Sequence, residues 1–136
     1  MPSSLSTGNR TLTVTWCSRV AADNVSRAIF VAPFPCVVTS IAEVHSVAGT
    51  DGGSVNINVH HDTGTDAPGA GSALLSNNSN NGFNIKGTIN TVQRGTFKAG
   101  SSRKLNKGDR LSVKFNGTQT TADGVCITVE LNRNDF

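Results

Sequence analysis

Gly49-Thr50-Asp51-Gly52-Gly53-Ser54-Val55-Asn56-Ile57-Asn58-Val59-His60-His61 is the stretch whose pattern decides the fold class. Glycines at 49, 52 and 53 supply the positive φ angles of tight turns and predict a hairpin here. The alternation that follows puts Val55, Ile57 and Val59 on an inward face and Asn56, Asn58 and His60 on an outward one. The segment before the turn, Cys36 to His45, reads as the long strand that the hairpin would return against. Working outward, Thr11 to Trp16 alternates with Leu12, Val14 and Trp16 on one face. Ser26 to Ala32 is a short apolar run stopped by Pro33-Phe34-Pro35. Downstream, Arg110 to Phe115 and Gly124 to Leu131 repeat the period of two. Phe83 to Ile85 and Thr91 to Phe97 read as shorter strands, and Ser72 to Ser76 as a short strand or a single helical turn. Eight or nine strands with turn signals every dozen residues predict an all-β fold, an antiparallel β-sandwich and most simply a jelly roll. Residues 1–10 read as an extended N-terminal arm and 11–136 as one domain.

Composition agrees with that pattern. The chain has 136 residues, one domain's worth, of which 57 are Asn, Gly, Ser or Thr. The first three of these residue types are poor helix formers, and Thr suits strands and turns. No apolar run approaches the 18 residues of a membrane helix, and the N-terminus lacks the basic and apolar regions of a secretory signal, so folding in a cytoplasm is expected. Cys17, Cys36 and Cys126 are an odd set without C-x-x-C spacing. They read as buried thiols rather than a disulfide framework or a zinc site.

Charge is unevenly placed. Between Lys86 and Lys114 lie eight basic residues and one acid, Asp109, whereas the rest of the chain carries four basic and eight acidic residues. A bipolar molecule of this kind can dock its basic side on an acidic surface. Nucleic acid is a poor fit as a partner, because the basic block has no interleaved aromatic beyond Phe97 and no DNA- or RNA-reading motif.

Little in the sequence points to chemistry. His60 and His61 are successive strand residues on opposite faces and cannot easily share one metal ion, although His45 could join one of them across strands. Surface histidines are the simpler expectation. Asp51, Asp62, Asp66 and Asp109 lack the close spacing of a calcium loop. The two glutamates, Glu43 and Glu130, lie within predicted strands. There is no nucleophile elbow and no phosphate loop. No enzyme activity, cofactor or metal is expected.

Three later segments carry a family resemblance: Val47 to Val59 with Gly71 to Leu75; the series Thr91 to Phe97, Leu105 to Leu111 and Phe115 to Thr118; and the closing Gly124 to Leu131. Together they resemble the small β-sandwich or jelly-roll head decoration (cement) proteins of tailed bacteriophages over residues 36–132. The resemblance implies a virion protein, made in the host bacterial cytoplasm, that binds the major capsid protein on the outer capsid surface and clamps neighbouring subunits, commonly as a homotrimer. It implies neither nucleic acid nor membrane as a partner. Within that reading the expected contact residues are Leu5 and Arg10 of the arm and Arg94, Lys98, Arg103 and Lys104 of the basic block. The competing reading is a receptor- or glycan-binding module of a tail fibre or spike, with the loops Thr63 to Gly71 and Asn77 to Gly82 as its ligand face.

Overall fold

The computed structural model describes residues 11–134. Ten strands form two antiparallel sheets: β1 (Thr11–Cys17), β2 (Arg27–Val31), β3 (Cys36–Val44), β4 (Asn56–Asp62), β5 (Ser72–Ala73), β6 (Phe83–Asn84), β7 (Gln93–Arg94), β8 (Lys104–Leu105), β9 (Arg110–Asn116) and β10 (Cys126–Arg133). One sheet has the order β1-β10-β3-β7, with β8 also on β3; the other has β2-β9-β4-β5, with β6 also on β4. The pairs β1 with β10, β2 with β9, β3 with β8 and β4 with β6 are those of one long hairpin rolled up so that its arms alternate between sheets. That is the jelly roll, as the strand rhythm predicted.

The core lies between the sheets. Ile57 and Val59 of β4 and Leu111 and Val113 of β9 meet Val38 and Ile41 of β3 and Ile127, Val129 and Leu131 of β10, all essentially inaccessible. Burying each such side chain contributes about 1.5–3 kcal/mol. Val38 and Ile41 both reach the core although three residues apart, because a bulge opposite Glu130 and Leu131 leaves Thr39 as an extra residue and resets the alternation. Among the short connections, Gly117 has φ +87, and a Cβ there would lie 1.7 Å from the Ser54 carbonyl oxygen. Only glycine fits that approach.

Three sequence expectations are corrected. First, β3 and β4 do not form a hairpin: they lie in different sheets, and the glycine-rich segment 45–55 is the crossover between them. Glycines permit a sharp turn but do not choose which sheet the next strand joins. Second, Asn56 and Asn58 are buried rather than outward, at 5% and 0% exposure. The excursion 72–85 covers the outer side of β4, and Asn58 satisfies it. Its amide donates to the carbonyls of Leu75 (3.1 Å) and Asn80 (2.9 Å), and its Oδ1 accepts from the Val59 and Leu75 N–H groups. Third, Cys17 and Cys126 are not thiols. They face each other across β1 and β10 and form a disulfide, leaving only Cys36 free and buried.

Candidate functional site

The cationic end of the sandwich is built at the start of β3. There Cys36 and Val37 pair with Leu105 and Lys104 of β8, and the loop 98–103 runs into that pairing. The loop is fastened along its length: Lys98 N–H donates to the Leu74 carbonyl (2.8 Å), Ser101 N–H to Lys98 (3.0 Å), and Val38 N–H to Arg103 (2.9 Å). The Arg103 guanidinium lies 4.7 Å from the centre of the Phe97 ring, a cation–π contact that orients it over an otherwise apolar face. Two open clefts of about 360 Å³ each flank Arg103, one lined by Val37, His61, Ser102 and Lys104, the other by Phe97, Lys98 and Gly100.

The floor of this end is polar and organised. His61 is 8% exposed, and its ring nitrogens lie 2.8 Å from the Ser102 carbonyl and 2.8 Å from an Asp109 oxygen. The same Asp109 carboxylate accepts from Asn106 N–H at 2.9 Å, closing the turn before β9. His61 thus ties β4 to the cationic loop on one side and to the β8–β9 turn on the other. Burial, with the Asp109 charge behind it, pushes the Cys36 thiol above its ordinary pKa, so it is packing rather than a nucleophile.

Of the expected contact residues, the fold brings Lys98, Arg103 and Lys104 together. Arg94 is exposed on β7 opposite Ala42, five positions along β3 from Val37, which is roughly 17 Å away. Leu5 and Arg10 lie outside the described residues.

His45 and His61 are buried, contrary to the expectation of surface histidines, whereas His60 is half-buried with a ring nitrogen 3.1 Å from the Gly71 carbonyl. At the far end of β3, Glu43 and His45 are 1% and 0% exposed, and Nδ1 of His45 lies 2.9 Å from Glu43 Oε2. Gln93 donates to the other Glu43 oxygen at 2.6 Å and to the Asn84 carbonyl at 2.9 Å. Nε2 of His45 meets the Gly87 carbonyl at 3.1 Å, which can only accept, so that nitrogen carries a proton. Burial pushes the Glu43 carboxyl up against the opposing pull of His45 and Gln93. The period of two that put residues 43 and 45 on one face was visible in the sequence; that the face is interior was not.

Two further polar sites flank β4. Asp62, 1% exposed, accepts from Ser112 Oγ, Gly69 N–H (3.0 Å) and Gly71 N–H (2.8 Å), and so staples the loop 63–71 to the sheet. Burial works to raise this carboxyl, but the hydrogen bonds and the charge of Arg110 outweigh it and hold it below its ordinary value. At the opposite end of β4 lies an open cleft of about 350 Å³ lined by Ser54, Asn56, Asn78, Asn81, Asn84 and Lys86. Its rim contains three successive left-handed residues, Asn78, Ser79 and Asn80, a conformation that Asn tolerates best among non-glycine residues. Three of the amides are anchored at one end: Asn56 on the Phe83 carbonyl, Asn78 on Gly82 and Asn84 under the Lys86 N–H.

Among the described residues no three His, Cys, Asp or Glu side chains are grouped to hold a metal ion, and no helix is long and apolar enough to cross a membrane. A scan against protein-family models and a search of curated proteins find no match to this chain.

Proposed function

We propose that this chain is a virion structural protein that binds the outer surface of a phage capsid and stabilises it by clamping neighbouring capsid subunits, as a trimer. The observation that carries this reading is the convergence of Lys98 and Arg103 of one fastened loop with Lys104 of the strand it runs into, at one end of a rigid jelly roll. Loops held on such a scaffold bind without a large ordering cost. A clamp that binds only the assembled shell stabilises it by mass action, and trimerisation turns weak single contacts into intramolecular ones. The disulfide between the first and last strands suits a protein that ends up on a particle outside the reducing cytoplasm. The reading includes no enzymatic step.

Quantitative mass spectrometry of purified particles tests it. A copy number near that of the main shell protein is expected, and absence from the particle overturns the reading. Within it, replacing Arg103 and Lys104 together by alanine is expected to weaken capsid binding several-fold at low salt, with a smaller difference at high salt, as exposed charges are screened. Unchanged binding at both salt levels removes the cationic end from the interface.

One observation favours the second reading, a glycan-binding module of a tail fibre or spike. The asparagine-lined cleft presents amides fixed at one end and open at the other, which suits hydroxyl groups. A copy number of only a few per particle, with binding to cells after capsids are removed, would select it.

A further inference from the structure

The four outermost strands of the two sheets are not equivalent. β5 and β7 are two residues long, and β7 carries Arg94. β2 is irregular, with a register shift between Ala28 and Phe30, and begins at Arg27. Short length, charge and irregularity are the devices by which sheet edges avoid pairing with other chains. β1 has none of them. It is seven residues, Thr11–Cys17, regular throughout against β10, without charge, proline or bulge. Among the described residues no strand lies on its other side.

Which backbone groups face that open side follows from the pairing. Ser18 N–H donates to the Val125 carbonyl at 2.8 Å, so 18 and 125 are a hydrogen-bonded pair and the adjoining pair, 17 with 126, is not. The Cα separation of 4.1 Å at Cys17 and Cys126 agrees. By alternation, Thr11, Thr13, Thr15 and Cys17 direct their N–H and C=O groups away from β10.

We infer that this edge pairs with β1 of a second copy, antiparallel about a two-fold axis at Val14. In that register Thr11 meets the partner's Cys17, and Thr13 meets the partner's Thr15. It is the one antiparallel register that gives all four outward-directed residues a hydrogen-bonded mate. It also places threonine against threonine on the outer face and Leu12 against Trp16 on the inner face, and it opposes no like charges. A neutral, self-complementary edge matches itself better than it matches a charged partner. The adjoining segment supplies apolar area: Val20, Val25 and Val31 are 53%, 51% and 60% exposed, half of the large hydrophobic side chains exposed among the described residues. All three lie in the stretch leading from β1 through β2, the edge of the other sheet. Trp16 joins the two edges, packing on Phe115 and under Arg27.

This inference is independent of the capsid reading; a two-fold edge can also link trimers in pairs. The test is the mass of the full chain by sedimentation equilibrium, with circular dichroism to verify folding. The wild type is expected to contain an even number of copies. The double variant Thr13→Lys with Thr15→Lys sets lysine against lysine twice across the axis and is expected to halve that mass. Thr13→Lys with Thr15→Glu sets lysine against glutamate and is expected to restore it. A wild type that is monomeric or trimeric overturns the inference and leaves residues 1–10 or another protein to cover the edge. So does a Lys/Lys variant of unchanged mass, or a Lys/Glu variant that stays as small as the Lys/Lys form.

Discussion

Among the described residues there are two histidine–carboxylate pairs, and they behave as different devices. His45 with Glu43 is sealed inside one end of the sandwich, both side chains at 0% exposure, whereas His61 with Asp109 lies at the cationic end at 7% and 15%. The first pair sits in a closed network with Gln93 and Gly87, so taking away one member strands a buried polar group. The second joins loops near water, which can replace a lost partner. The same two functional groups thus hold the core at one end of β3 and position the cationic loop at the other. Burial, and not chemistry, separates their roles.

The comparison breaks first where it is most one-sided. Replacing His45 with leucine leaves the Glu43 carboxyl buried beside an apolar side chain, and a loss of about 3–5 kcal/mol in urea unfolding is expected. A loss below about 1 kcal/mol would mean that water reaches Glu43 and that the two pairs are alike. Replacing Cys17 and Cys126 with serine opens a loop spanning 109 residues and is expected to cost about 2–4 kcal/mol. The cost of replacing His45 should survive in that background, since the disulfide lies on the outer face of β1 and β10. The same unfolding measurement in the presence and absence of reductant checks this.

pH sharpens the contrast between buried carboxyls. Asp62 has its folded pKa below the ordinary value of 3.8, so its contribution is present above that value and is lost as pH falls through the folded pKa. Glu43 has its folded pKa above the ordinary 4.5, so its contribution is present below that value and fades as pH rises through the folded pKa. Asp62→Asn is therefore expected to flatten the acid limb of stability against pH, and Glu43→Gln the opposite limb; identical profiles would refute the assignment. The smallest effect expected is that of Asp109→Asn. It costs about 1 kcal/mol by the same assay, because the pair is partly solvated, and shows up mainly as weaker protection of the 98–108 amides in hydrogen exchange.

Much of the fold was legible in the sequence because a strand's period is local. Leu111, Val113 and Phe115, or Val125, Ile127 and Val129, state which side is apolar without reference to any other part of the chain. The candidate site was legible only as a cluster of basic residues. Its convergence depends on β8, a two-residue strand hidden in the run Ser101 to Asn106, too short to register as a pattern. The asparagines of β4 misled for a related reason: alternation tells which residues share a face, but not whether a later excursion will cover it.

What the sequence by itself determined is therefore the class of structure: short strands, their two faces, the turns between them and the concentration of positive charge between Lys86 and Lys114. These follow from backbone geometry and side-chain polarity over a few residues. Only the tertiary structure decided that β3 and β4 part company across the core. It alone joined Cys17 to Cys126, set His61 against Asp109 and left β1 with an open edge. Each of these depends on contacts between residues far apart in the chain, chosen by how the whole set of apolar faces can be buried at once, and no local period encodes that choice.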